Sequence, residues 1–516
     1  MLERNYLFAF FLLNKNSIFV GHLQYYIEHM IKDLFIKKTL RQLDEEAASN
    51  KHGLKRHLGL TNLTLLGVGS VIGAGIFVLT GTAAQMHAGP AIVLSFMLSA
   101  FGCLLAGLCY AEFASMIPLS GSAYTYGYAT MGELVAWIIG WDLILEYLFS
   151  TATVAVGWSG YMLSFLADYG IYLPSSLAQA PFDFDQHGWH FTGSFINFPA
   201  VFIVVILSAL LIVGIKETVK FNNITVVIKI IVVLLFIGFG ISHIHPQNWV
   251  PFIPKNTGVW GQYGWSGILA GSGVIFFAYI GFDAVSTTSQ EAINPKRDLP
   301  LSILFSLLIC TILYVGVSFV LTGIVNYKEL NVSAPIALAI DRSGGGLKWL
   351  SPFIKVGTLA GLSSVILVTL LGQTRIFFAM AHDGLLWKAF AKTHSRFKTP
   401  HYSTLITGFF TALMAGLFPI GLLGELVSIG TLLAFMIVCI GILIMRKTEP
   451  DAPRAFKTPW VPFVPLLGAF ICFIQMLALP GDTWLRLFIW MGIGFIIYFS
   501  YSRKHSVARK LRRDSN

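Results

Sequence analysis

Runs of about twenty apolar residues, each nearly free of charge, recur from residue 61 to residue 502, and each is long enough to cross a hydrocarbon core as a helix. The strict alternation of a membrane barrel is absent from them. Composition closes the other exits. Only 12% of the 516 residues are charged and 55% are hydrophobic, about half the charged share of a soluble domain, so a water-facing surface cannot be built. The expected fold is an all-α membrane protein with about 12 transmembrane helices. They are expected at roughly 61–86, 91–117, 132–166, 195–215, 222–243, 264–291, 300–324, 350–381, 402–419, 423–445, 461–479 and 483–502.

The formal net charge of +10 lies in short clusters between these runs, which is topological information and not a nucleic-acid footprint. With the N-terminus inside, 27 of the 35 Lys and Arg fall on the cytoplasmic side and four on the other. Both termini are therefore expected in the cytoplasm of a cell whose inner or plasma membrane holds the protein. The outside loop over 168–194 has no Lys or Arg, while the tail over 503–513 reads RKHSVARKLRR and is suited to anionic lipid. The chain divides into a cytoplasmic segment 1–57, a core 58–446 holding spans 1–10, spans 11 and 12 over 447–502, and the basic tail 503–516. The apolar patch at 6–13 is too short for a signal peptide and no small-residue cleavage site follows it. Met30 offers an alternative start, with 1–29 then an upstream extension; residues 31–51 suit an amphipathic helix. The five cysteines, all in spans, show no CxxC or Cys/His spacing, so neither disulfide nor zinc is expected.

Within span 1, residues 67–82 read GVGSVIGAGIFVLTGT, with glycines at 67, 69, 73, 75 and 81. Glycine costs a helix interior about 1 kcal/mol relative to alanine, so the helix is expected to break at Gly73-Ala74-Gly75. Freed backbone groups at membrane depth are tolerated where they face a cavity, and there they can hold a polar solute. A plainer reading makes Gly69 and Gly73 a GxxxG packing surface. A dinucleotide loop does not fit, because the spacing is GxGxxxG and no strand precedes it. Span 6 repeats the anomaly at Tyr279-Ile280-Gly281, with Asp283 placed to cap a second half-helix. Interrupted helices at corresponding places in two halves point to a transporter built from inverted repeats.

The stretches GSVIGAGIFVLTG at 69–81, YAEFASMIPLSGSAYTY at 110–126, FFAYIGFDAVSTTSQEAINPKRDLP at 276–300 and GQTRIFFAMAHDGLLW at 372–387 together resemble the amino acid–polyamine–organocation (APC) superfamily. More narrowly they resemble the bacterial relatives of its cationic amino acid transporters. The resemblance covers about residues 53–502. It implies a LeuT-like five-plus-five inverted repeat with discontinuous spans 1 and 6, and two peripheral helices after it.

The site follows from the chemistry of a zwitterion. Amides of Ala74, Gly75 and Ile76 begin the second half-helix and offer its positive end to a carboxylate. Carbonyls near Ile72 and around Phe277, Ala278 and Ile280 suit an ammonium, and Gly73 and Gly75 admit close approach. The resemblance implies the same division, with Phe276 and Phe277 as an outer gate; ordinary core packing is the plainer role for both rings. Lys229, about eight residues inside the apolar helix of span 5, should face the bundle or a cavity, unless it snorkels to the interface. In the resembled family a lysine here replaces sodium, which implies proton coupling, and no carboxylates or hydroxyls cluster near it in sequence. Glu146 in span 3, Tyr314 in span 7 and Leu362 in span 8 are additional site candidates, Leu362 favouring an apolar wall.

No nucleophile triad, P-loop or metal-ligand cluster is present. The expectation is a non-enzymatic carrier importing amino acids with protons, leaning to neutral ones, and using no cofactor beyond the coupling proton. An amino acid/amine antiporter and a non-transporting amino acid sensor remain open alternatives. Oligomeric state is open too, a monomer included.

Overall fold

Inside a bilayer the backbone has no water to bond, so chains with such runs bury their N–H and C=O groups in helices. The computed structural model describes residues 34–38, 58–117, 122–185, 188–213, 216–287, 289, 292–332, 334–343, 345–392, 394 and 399–515. The expected helix over 31–51 and the segment 1–29 lie almost wholly outside them. Eight helices among the described residues are long and apolar enough to cross a membrane, and three shorter ones are apolar.

The main helices are α1 (Leu60–Val71), α2 (Ile92–Met116), α3 (Glu133–Asp168), α4 (Phe198–Val213), α5 (Lys216–Gly240) and α6 (Gly264–Ile275). They continue as α7 (Pro295–Ile324), α8 (Ser351–His382), α9 (His401–Leu417), α10 (Ile420–Thr448), α11 (Phe463–Leu477) and α12 (Gly481–Ile497). A short helix, Ser122–Thr130, lies between α2 and α3, and another, Pro335–Arg342, between α7 and α8. The fold is not wholly α. Strands β1 (Phe182–Asp185) and β2 (Gly188–Phe191) pair antiparallel, Phe182 opposite Phe191, in the long loop after α3. The alternation F-D-F-D followed by W-H-F was its local signal.

Helices five apart in the chain lie against each other: α2 on α7, α3 on α8 and α4 on α9. The centre is filled by α3, which runs along both α8 and α10. On its other side, α12 is fastened to α3 by tryptophans. Trp141 Nε1 donates to the Trp490 carbonyl at 2.9 Å, Trp490 Nε1 donates back to the Trp141 carbonyl at 3.1 Å, and the two rings stack at 4.6 Å. All five cysteines are buried and free.

At the end of α2 a fully buried Glu112 receives both Arg446 Nε (2.7 Å) and Nη2 (2.9 Å), Arg454 Nε (3.0 Å) and the Thr458 amide (2.8 Å). One carboxylate thus ties α2 to the end of α10 and the loop behind it. Breaking a buried pair by removing one partner leaves the other charge uncompensated. Glu112→Ala, which strands the buried Arg454 guanidinium, is expected to lower stability by about 3 kcal/mol. Thermal unfolding in detergent reads this directly, and an unchanged Tm would show that the arginines find water instead.

Candidate functional site

Span 1 does break, over Ile72 and Gly73, at the leading edge of Gly73-Ala74-Gly75. α1 ends at Val71, and Ile72 is extended at φ −72°, ψ 98°. Ala74 is already helical and leads into a π-helical turn, Gly75–Leu79. The first amide bonded back along the new helix is that of Phe77, to the Gly73 carbonyl at 3.3 Å. Ala74, Gly75 and Ile76 therefore carry the leading amides, for which a helix provides no acceptor of its own. The second glycine serves a different purpose from the one expected. A Cβ at Gly75 would overlap Cα and Cβ of Ala278, so the glycine is what lets the two interrupted helices touch. Gly69 and Gly73 do not form one packing stripe, since Gly69 faces Val226 of α5 and Gly73 faces Val365 of α8.

Span 6 breaks where expected. α6 passes into a 3-10 turn, Phe276–Tyr279, then Ile280 is extended and Gly281 takes φ +110°. A side chain at Gly281 would be strained at that φ and would lie 2.9 Å from Ser70 Cβ. Asp283 stands where a cap is expected, directly before the short helix Ala284–Thr287 and facing backbone groups at its start, and its carboxylate reaches further. Its Oδ2 accepts from Ser122 Oγ and from Tyr147 OH, each at 3.4 Å, and Oδ1 has no hydrogen-bond partner among the described residues.

The carbonyls freed at the end of α1 are answered by two side chains from far along the chain. Lys229 is fully buried, and Nζ donates to the Gly69 carbonyl at 2.5 Å and the Ile72 carbonyl at 2.9 Å. Its stem fits because α8 has Gly361 there, whose Cβ would stand 3.2 Å from Lys229 Cβ. The Tyr314 hydroxyl lies 2.7 Å from the Val71 carbonyl and 2.8 Å from the Ala278 carbonyl. One proton is thus shared between the two interrupted helices. A cation at the carbonyl end of a helix is electrostatically favoured. Lys229 does not snorkel.

The structure brings Ile72, Gly73, Gly75, Ala278, Lys229 and Tyr314 together, with Ala74, Ile76 and Ile280 beside them in the two breaks. Phe276 and Phe277 lie in the 3-10 turn, buried, and the Phe276 ring packs on Phe435 of α10 at 5.5 Å. Leu362 is buried in α8, but the α8 residues against the break are Gly361 and Val365. Glu146 belongs to another group. It is fully buried in α3, within electrostatic reach of Asp142 and Asp283, and neither of its carboxyl oxygens has a partner among the described residues.

Several residues escaped the sequence reading. Asp142 is as buried as Glu146, one turn before it, and also has both oxygens unmatched among the described residues; the pattern D-x-x-x-E inside an apolar run was its signal. Tyr161 OH donates to the Phe77 carbonyl at 2.8 Å, and Trp158 Nε1 to Ser363 Oγ at 3.0 Å. Those two had no local signal.

Comparison with known proteins gives this geometry a context. The sequence profile described as amino acid permease matches residues 58–499. The methylthioribose transporter of Bacillus subtilis (strain 168) is 44% identical over 480 residues, 93% of this chain and 100% of that one. The branched-chain amino acid permease BcaP of the same organism is 46% identical over 474 residues, 92% and 98%. The mouse cationic amino acid transporter 4 is 37% identical over 429 residues, 82% of this chain and 65% of that one.

Two substitutions separate the roles of these atoms. Gly75→Ala is expected to abolish substrate binding in protein that still reaches the membrane, because its methyl group meets backbone. Tyr314→Phe removes one shared hydrogen bond, worth about 1 kcal/mol, and is expected to weaken binding about fivefold with little change in Tm. Equilibrium binding to purified protein checks both; wild-type affinity in Gly75→Ala would mean the helices do not need to touch.

Proposed function

The chain belongs to the amino acid permease family, and on that premise we propose that it is a twelve-span secondary transporter importing neutral amino acids with protons. Its relatives carry the names of transporters, not enzymes, and the apolar helices make it a multi-pass membrane protein. Twelve spans follow when the two halves of span 1 count as one and the shorter α4, α9 and α11 are each given a crossing. The five-apart packing of α2 on α7, α3 on α8 and α4 on α9 supports a LeuT-like five-plus-five inverted repeat, as does the meeting of the two breaks at Gly75 and Ala278. The excess of Lys and Arg in one set of loops supports cytoplasmic termini in the cell membrane.

The observation that carries the reading is the Lys229 ammonium on the carbonyl end of α1. An incoming zwitterion places its carboxylate on the amides of Ala74, Gly75 and Ile76, and its ammonium on carbonyls of Ile72 and the span 6 turn. A carbonyl oxygen has two lone pairs, so Ile72 can serve Lys229 and the substrate together. Loss of the Lys229 proton removes the charge that holds the end of α1 and weakens that helix's tie to α5. Protonation and substrate occupancy then bias the same element, which is the requirement for coupling. Carrier movement is a rocking of one bundle of helices against the rest, with Phe276 and Phe277 closing the outer side.

Cargo cannot be read from identity, since similarly related proteins are named for methylthioribose and for branched-chain amino acids. Apolar neighbours of the breaks, Ile76, Ile280 and Val365, support a neutral side chain, in line with the BcaP name. Proteoliposomes loaded at neutral pH and placed in acid medium should accumulate leucine or valine above equilibrium. Lys229→Ala should lose at least tenfold of that accumulation while retaining exchange. Full accumulation by the variant would refute proton coupling through Lys229; exchange alone in the parent protein would indicate an antiporter, and binding without flux a sensor.

A further inference from the structure

The C-terminal tail and the segment 34–38 converge on a pair of carboxylates beside the loop helix Ser122–Thr130. Glu133, fully buried at the start of α3, receives Arg509 Nε at 2.8 Å and Tyr498 OH at 3.0 Å on Oε1. Its Oε2 receives Ser506 Oγ, and Tyr128 OH at 3.2 Å. Arg509 Nη2 also donates to Tyr498 OH at 3.0 Å. Asp383, just past α8, is held by Lys38 Nζ at 2.8 Å and Tyr124 OH at 2.6 Å, and its carbonyl receives the Val507 amide at 3.0 Å. The tail is therefore not simply laid on lipid as its sequence suggests, for Arg509 is only 4% exposed, although Lys504, Lys510 and Arg512 are exposed.

Each carboxylate is thus gripped from two sides, by a tyrosine of the loop helix and by the tail or the segment 34–38. The loop helix itself begins at Ser122, with φ +49°, whose hydroxyl donates to Asp283 in the broken end of span 6. Its position under span 6 therefore depends on two posts that the tail helps to hold. A buried ion pair is seldom more stabilising than apolar packing of the same volume. It does differ from apolar packing in one respect: its geometry is directional, and undocking Arg509 leaves the buried Glu133 without its counter-charge.

We propose that residues 502–515 form a releasable strap, with Arg509 as its catch on Glu133, that keeps the loop helix Ser122–Thr130 seated beneath the interrupted span 6. Docked, the strap holds this end of the transporter shut. Released, it leaves Glu133 to Tyr128 and Tyr498 and Asp383 to Tyr124 and Lys38, and the loop helix, less firmly held, can leave Asp283. The consequence for transport rests on the alternating reading above, but the mechanical claim does not.

Hydrogen–deuterium exchange of the full-length protein in lipid nanodiscs tests the mechanical claim without any substrate. Arg509→Ala should raise exchange of the amides over 122–130 at least threefold and leave the helix Pro335–Arg342 unchanged. Arg509→Lys, which keeps the charge and loses the fork, should give a smaller rise in the same segment; if Arg509→Ala cannot be purified, a twofold rise in Arg509→Lys decides. Unchanged exchange over 122–130 overturns the strap, whether or not the tail itself loosens. Substrate counterflow on the same variants is read separately: a faster loop helix with no flux in any variant, the parent included, would count against the transporter reading and not the strap.

Discussion

A helix that stops halfway across a membrane leaves carbonyls that nothing in hydrocarbon will satisfy, and the architecture of this protein depends on how those at the end of α1 are answered. Lys229 takes the Gly69 and Ile72 carbonyls and Tyr314 takes that of Val71. Both partners come from helices that must therefore be packed against α1, and both are fully buried. The same hydroxyl reaches the Ala278 carbonyl, so the satisfaction of one break is linked to the position of the other. A ligand that draws on these carbonyls acts on three helices at once.

The glycines divide into two kinds of work. Gly281 supplies a backbone conformation that side chains resist, at the turn where span 6 changes direction. Gly75 supplies space, and what fills it is the backbone of span 6. Close contact between the two breaks means that the site is made by two elements jointly. Separating or sliding the breaks would change the contact of Gly75 with Ala278 and the hydrogen bonds of Tyr314 together.

A second polar group lies apart from this centre. Asp142, Glu146 and Asp283 are buried carboxyl side chains whose oxygens are largely unmatched among the described residues, and burying such groups without compensation is expensive. Asp283 joins the two regions, being two residues past Gly281 and within reach of Ser122 and Tyr147. The loop helix, the broken end of span 6, the segment 34–38 and the C-terminal tail consequently form one connected polar layer.

Local chemistry was legible in the residues. Apolar run length determined that the chain spans a membrane as helices, glycine placement determined that spans 1 and 6 would be interrupted, and one lysine in an apolar helix marked Lys229 as internal. In span 1 the chain bends at Ile72 and Gly73 while Gly75 serves contact, because glycine both permits bending and permits contact, and composition does not say which. Partnerships were not legible. Lys229 bonds residues 160 and 157 positions away, and Tyr314 one 243 away; Arg509 meets Glu133 across 376. A backbone's tendency to bend is set by its own side chains, whereas the group that satisfies a freed carbonyl is whichever one packing delivers there. Where the helices open is written in the residues at each break, and what closes on the openings is set by packing between distant parts of the chain.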